Sequence, residues 1–210
     1  METLTVLAVV ILSYLLGSTP TAYLVAKTQK VDIFKVGSGN MGATNVTRAL
    51  GFRWGLFVML IDILKGVVAI YLSRQILHDN KALATTLSAI TVVIGHNWSL
   101  FATILTGTLR GGKGAATTFG TLLMVAPIPV IITTAIIAGV IIAITRYVSL
   151  AVLVAFSLAT LWMIVLILQE QLESILLLYI LTIAVMIFVR FRPNIQRLAN
   201  GTERRLGERA

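Results

Sequence analysis

The run Val148-Ser-Leu-Ala-Val-Leu-Val-Ala-Phe-Ser-Leu-Ala-Thr-Leu-Trp-Met-Ile-Val-Leu-Ile-Leu168 contains no Asp, Glu, Lys or Arg. Coiled as a helix it covers about 30 Å, the thickness of a bilayer's hydrocarbon core, so it reads as a transmembrane span. Six more apolar stretches lie around it, near residues 4–26, 54–73, 82–98, 114–125, 128–145 and 175–189. The stretch 114–125 is short for a full crossing, and 82–98 can extend towards Leu105. The 210-residue chain is 58% hydrophobic and 12% charged, about half the charge of a typical soluble domain. The expected fold is therefore all-α: a polytopic integral membrane bundle of about seven transmembrane helices, forming one domain over residues 1–210. No cysteine is present, which excludes disulfides, thiolate nucleophiles and zinc–thiolate sites. The start, Met1-Glu2, lacks the basic flank of a cleaved signal peptide.

Seventeen Lys and Arg face eight Asp and Glu, a net charge of +9. Cationic loop residues resist translocation and so orient a bundle. Lys27, Lys30, Lys35, Arg48 and Arg53 follow the first span, Arg110 and Lys113 the third, and Arg146 the fifth; Arg190, Arg192, Arg197, Arg204, Arg205 and Arg209 follow the seventh. The alternate loops hold only Arg74 and Lys81 beside Glu2, Asp79, Glu170 and Glu173. This predicts an outside N-terminus, a cytoplasmic C-terminus, and cytoplasmic polar segments at 27–53, 106–114, 145–148 and 190–210. A five-span arrangement, with the third and fourth segments as a re-entrant hairpin, leaves both ends on the same sides. Basic segments on such a chain suggest membrane lipids or phosphate ligands rather than nucleic acid.

The cytoplasmic segments hold the polar motifs. The first contains Gly37-Ser38-Gly39-Asn40-Met-Gly42-Ala-Thr44-Asn45-Val-Thr-Arg48. Its glycines permit converging backbone amides that can cradle an anion, and Arg48 supplies a phosphate-matched fork. A flexible solvated linker is the alternative. The second, Gly107-Thr-Leu-Arg110-Gly111-Gly112-Lys113-Gly114, has the spacing of an NTPase phosphate loop, but Gly114 stands where Ser or Thr would hold magnesium. What remains is a set of glycine amides and Lys113 opening an apolar helix, an arrangement that favours an anion, or else a tight basic turn. The third is split between Arg146-Tyr-Val-Ser149 and a tail, Arg192 to Glu203, that can wrap as a short amphipathic helix on the membrane face. Arg204, Arg205 and Arg209 read as a plain stop-transfer anchor. Within the second span, Asp62 and Lys65 share a helix face as a structural pair or a catalytic one. His96 is either a general base or an interfacial hydrogen-bonding residue.

Together these motifs, with Gly17-Ser18-x-Pro20-x-x-Tyr23-Leu24, Asp62-x-x-Lys65-Gly66, Gly95-His96 and Asn194-Ile-x-Arg197-Leu-x-x-Gly201-x-Glu203, resemble the bacterial acyl-phosphate:glycerol-3-phosphate acyltransferases of the PlsY type. The matches run in order over nearly the whole chain. The resemblance implies an inner-membrane enzyme, working at the cytoplasmic face without cofactor or metal. It would move a fatty acyl group from acyl phosphate to the sn-1 hydroxyl of glycerol 3-phosphate, giving lysophosphatidic acid and phosphate. It assigns catalysis to Ser38, Arg48, Lys113 and Asn194, and substrate contacts to Gly37, Gly39, Asn40, Gly42, Thr44, Asn45, Gly111, Gly112, Gly114 and Ser149. Glu203 would be structural, with Asp62 and Lys65. A soluble acyl-phosphate synthase is a candidate partner. The chain departs from the family pattern at Phe34 and Phe191, where Arg and His are usual, and in extra residues after His96.

The chemistry agrees with that resemblance. An acyl phosphate is a mixed anhydride with a good leaving group, so alignment and charge stabilisation suffice, without a covalent intermediate. The other glycerol-phosphate acyltransferase chemistry needs Asp five residues after a His, and neither His78 nor His96 has one. Two competing readings remain: a membrane transporter of a phosphorylated metabolite, against which stands the lack of an internal repeat, and a catalytically impaired scaffold paralogue.

Overall fold

The computed structural model describes residues 2–208, with the side chain of Glu2 outside the description; the expected tail cation Arg209 also lies outside the described residues. Within them the chain is helical: α1 (Glu2–Ser18), α2 (Thr21–Thr28), α3 (Ala43–Leu50), α4 (Phe52–Ile76), α5 (Lys81–Asn97), α6 (Leu100–Thr106), α7 (Ala115–Val125), α8 (Ile128–Thr145), α9 (Val148–Leu168) and α10 (Leu176–Ala199). The described residues contain no β-strand, and one isolated bridge pairs Ser99 with Arg110.

Five helical stretches are long and apolar enough to cross a membrane: Thr3–Thr28, Phe52–Ile76, Ile128–Thr145, Val148–Leu168 and Leu176–Ala199. Two of the seven expected spans are shorter helices. α5 has 17 residues, and α7, with 11, rises only about 17 Å at 1.5 Å per residue. Two boundaries differ from expectation, and the third span ends within one residue of the expected Trp98. The first span breaks between Ser18 and Thr21, because Pro20 can neither donate to the ladder nor let Thr19 stay helical. The third stops at Asn97, and Ser99 starts α6 afresh by accepting the Ala102 amide on its hydroxyl at 3.1 Å. The tail forms no separate helix, since α10 runs through Pro193 to Ala199.

The chain divides into two compact units, one through Met124 and the other Val125–Glu208. In the first, α1 and α5 pack backbone to backbone. A Cβ on Gly17 would stand 2.0 Å from the Val92 carbonyl oxygen, and one on Gly95 would stand 2.2 Å from that of Tyr14. α4 and α7 meet in the same way, with Gly66 against the Thr117 carbonyl and Gly120 against that of Ile63. Lipid tails are as apolar as leucine, so helices in a bilayer gain by such close approach at small residues. Polar ties reinforce the unit. Ser13 and Ser73 hydroxyls bond at 3.2 Å, and Arg74 donates to the Thr85 hydroxyl at 2.8 Å and to the Met124 carbonyl at 2.9 Å.

In the second unit α9 packs against both α8 and α10. Its buried stripe, Ala151, Ala155, Ala159, Met163 and Ile167, repeats every four residues as a helix face requires. Leu158, Leu161 and Leu168 on the same helix, and Val185 and Val189 on α10, stay exposed, as lipid-facing side chains do.

If the glycine contacts set the helix spacing, Gly17→Val should lower the unfolding midpoint in detergent by roughly 5 °C or more. Gly139→Ala is the control, because a Cβ there meets nothing within 4 Å; it should leave the midpoint unchanged or slightly raised.

Candidate active site

The first polar segment folds into a tight loop that ends at the start of α3. Gly37 and Gly39 take φ values of 58° and 64°, a region other residues rarely adopt. Asn45, in the first turn of α3, ties this loop down. Its Nδ2 donates to the carbonyls of Ile33 and Val36, both at 3.1 Å, and its Oδ1 accepts the Ser38 amide at 2.9 Å. The Asn45 amide therefore serves its own loop, and by doing so it fixes Ser38. The Ser38 hydroxyl is exposed and accepts the Asn40 amide at 3.4 Å. Arg48 lies one turn beyond Thr44 and Asn45 on α3, half-buried.

The second segment is clamped to the end of α5. Arg110 O accepts the Ser99 amide at 2.9 Å, and Gly112 N donates to the His96 carbonyl at 2.9 Å. Three glycines make this approach possible. A Cβ on Gly111 would lie 2.0 Å from the Asn97 carbonyl oxygen, one on Gly112 1.9 Å from His96 Nε2, and one on Gly114 2.8 Å from Asn97 Oδ1. Gly114, at φ 81°, opens α7 and accepts the Thr118 amide at 2.7 Å. Lys113 is thus presented, half-buried, where the α7 helix begins and where its dipole favours negative charge.

His96 is itself backed by a buried polar group. Asp62 Oδ1 lies 2.8 Å from Lys65 Nζ and 3.8 Å from His96 Nδ1, and it accepts the Thr21 hydroxyl at 3.2 Å. Lys65 also donates to the Thr19 carbonyl at 3.4 Å. Asp62, Lys65 and His96 are all buried, so the ring is held between a carboxylate on α4 and the Gly112 backbone.

The two segments meet at Phe34. Its ring stacks on Tyr23 at 5.9 Å, and the Arg110 guanidinium sits 4.5 Å above its centroid. An aromatic face attracts such a cation, so positive charge at this position comes from the second loop. Ser38, Arg48, His96 and Lys113 accordingly lie in one unit, together with Thr19, Thr21, Asn97 and Ser99, which sequence reading did not single out. The signal for Thr19 and Thr21 was their place on either side of Pro20 in an apolar span; for Asn97 it was a polar residue ending another.

Asn194 and Ser149 belong to the other unit. Asn194 Nδ2 donates to Glu203 Oε1 at 2.8 Å, and Arg197 Nε donates to Glu203 Oε2 at 2.9 Å, so one carboxylate fixes two α10 side chains. Arg146 anchors the tail by donating to the Leu206 carbonyl at 2.6 Å through Nη2 and receiving the Leu206 amide on its own carbonyl at 2.7 Å. The Ser149 hydroxyl is buried and makes no hydrogen bond among the described residues. Phe191 is buried as well.

A family model described as glycerol-3-phosphate acyltransferase matches residues 7–201. The chain belongs to the glycerol-3-phosphate acyltransferase family. It is 43% identical to the glycerol-3-phosphate acyltransferase of Thermus thermophilus, covering 95% of this chain and 94% of that one. With its namesake from Halalkalibacterium halodurans it shares 41% identity over 95% of each. Among solved structures it is similar to PlsY, an integral membrane glycerol 3-phosphate acyltransferase, in its glycerol 3-phosphate form. The TM-score is 0.84 at 36% identity, covering 96% of each chain. The lysophosphatidic acid form of PlsY gives 0.82 at 35% identity, covering 97% of this chain and 96% of that one.

The Gly112–His96 contact yields a test. Gly112→Ala should cut kcat/KM about tenfold or more by pushing the ring away. If the clash is the cause, Gly112→Ala combined with His96→Ala should lose no more than His96→Ala alone, a non-additivity that steady-state kinetics would reveal.

Proposed function

We propose that this acyltransferase moves a fatty acyl group from acyl phosphate to the sn-1 hydroxyl of glycerol 3-phosphate, releasing phosphate and lysophosphatidic acid. One observation carries the reading: two glycine-rich loops, each opening a helix and each bearing a cation, meet through Arg110 on Phe34. Two substrates that each carry phosphate call for two such cradles.

In this scheme Lys113 and the amides of Gly111, Gly112 and Gly114 hold the phosphate of glycerol 3-phosphate. Ser38 and Arg48, with the Gly37–Gly42 amides, hold the donor's phosphate and draw charge from the breaking bond. The acceptor oxygen bonds to the acyl carbon, the carbon–oxygen bond to phosphate breaks, and the hydroxyl proton passes to a phosphate oxygen of the substrates. No protein base is needed, which leaves His96 as a support for the second loop. Asn40 and Thr44 lend hydrogen bonds at the first loop; Asn194 acts in catalysis and Ser149 as a substrate contact. Asp62, Lys65 and Glu203 act structurally.

The whole chain works as one transmembrane domain in a bacterial inner membrane. Seven segments cross or enter the bilayer, the N-terminus faces outward, and the polar segments face the cytoplasm. That placement lets a soluble acyl-phosphate synthase deliver donor from the cytoplasmic side, while the acyl tail stays in lipid.

Purified protein given acyl phosphate, acyl-CoA or acyl-carrier protein with glycerol 3-phosphate should form product from acyl phosphate alone. Product from either other donor would refute the donor assignment, and phosphate-metabolite uptake into vesicles without product would favour a transporter. Lys113→Ala should raise KM for glycerol 3-phosphate at least about tenfold, as loss of a charge-assisted phosphate contact does. Ser38→Ala and Arg48→Ala should mainly lower kcat, by roughly a hundredfold.

A further inference from the structure

Two buried asparagines in the first unit behave in opposite ways. Asn45 is 3% exposed and has both ends of its amide bonded to backbone groups. Asn97 is 1% exposed, and neither its Nδ2 nor its Oδ1 makes a hydrogen bond among the described residues. Leaving a buried amide unpaired costs about 1–3 kcal/mol per group, so a side chain of this kind calls for a reason. Because both ends are unpartnered, the assignment of oxygen and nitrogen within the amide does not affect the point.

The Asn97 amide lies inside the curl of the second loop. Gly111 packs on the backbone carbonyl of Asn97, and Gly114, the residue after Lys113, lies against the side-chain Oδ1 and Nδ2. The same helix start holds two further anomalies. Several helical threonines return their hydroxyl to the carbonyl four residues back, as Thr47, Thr85, Thr91, Thr103, Thr106, Thr134 and Thr145 do. Thr117 and Thr118, in the first turn of α7, do not; their hydroxyls are buried and make no hydrogen bond among the described residues.

The chemistry of the amide selects its ligand. A phosphate dianion offers only acceptors, which would suit Nδ2 and oppose Oδ1. An alcohol hydroxyl donates one hydrogen bond and accepts others, and so matches both ends. We propose that Asn97 is a specificity-determining residue that recognises the secondary hydroxyl of the acceptor, at C2 of glycerol 3-phosphate, beside the phosphate held at Lys113. This rests on the acceptor reading above. It adds the source of discrimination between glycerol 3-phosphate and simpler phosphorylated alcohols. A site built to pair a substrate hydroxyl rejects the analogue without it far more strongly than an apolar pocket does.

The test compares two acceptors with acyl phosphate as donor: glycerol 3-phosphate and 3-hydroxypropyl phosphate, which keeps the primary hydroxyl and phosphate but lacks the C2 hydroxyl. Wild type should favour glycerol 3-phosphate at least about tenfold in kcat/KM. In Asn97→Leu, close to isosteric, the preference should fall below about threefold, with activity on 3-hydroxypropyl phosphate largely kept. Asn97→Ala serves if the leucine variant does not fold. A merely structural Asn97 would lower both activities in proportion and keep the ratio, which overturns the proposal. Equal use of the two acceptors by wild type overturns it without any variant. Absence of turnover with either acceptor in wild type would instead indict the acyltransferase reading itself.

Discussion

Close backbone contact at glycine is the constraint from which the rest follows. Gly17 and Gly95 bring α1 against α5, Gly66 and Gly120 bring α7 against α4, and Gly111 and Gly112 fold the second loop onto the last turn of α5. In water such seams would be filled with larger apolar side chains. In a bilayer, where packing must compete with lipid, small residues and short polar ties hold helices together. The loop that carries Lys113 inherits its geometry from that seam, because its anchor points are the carbonyls and side chains of His96 and Asn97.

Beneath the seam lies a charge arrangement that would be costly if it were incomplete. Asp62 and Lys65 are buried and 2.8 Å apart, and removing one partner would strand the other. The pair also meets neighbouring groups: Thr21 supplies a donor, Thr19 an acceptor, and His96 stands 3.8 Å from the same carboxylate oxygen. Breaking the first helix at Pro20 is what frees the Thr19 carbonyl to receive Lys65. A kink, an ion pair and an imidazole thus combine to stiffen the floor of the second loop.

Much of this was legible in the sequence, and the failures have physical causes. Long apolar runs identified α4, α8, α9 and α10, because bilayer thickness sets a length that few soluble helices meet. The break at Pro20 was not expected, since hydropathy averages over a proline that local sterics cannot ignore. The end of α5 was uncertain for a related reason: Trp98 and Ser99 are neutral enough to continue a span, and the Ser99 cap and its backbone bond to Arg110 show that they do not. Motif reading found the glycine loops yet could not tell which polar residues hold the loop and which face outward. Asn45 and Asn97 have the same side chain and similar burial, and their difference lies in which backbone groups come within reach. Phe34 looked like a lost cation, because the stacking of Arg110 across another loop has no signature along the chain.

We propose the second loop, held on His96 and Asn97, as the phosphate cradle for the acyl acceptor. A crystal structure with glycerol 3-phosphate bound tests this. The phosphate is expected within hydrogen-bonding distance of Lys113 Nζ and the amides at the start of α7, with Gly112 still bonded to the His96 carbonyl. A glycerol 3-phosphate seated elsewhere, with Lys113 turned to solvent, would contradict it.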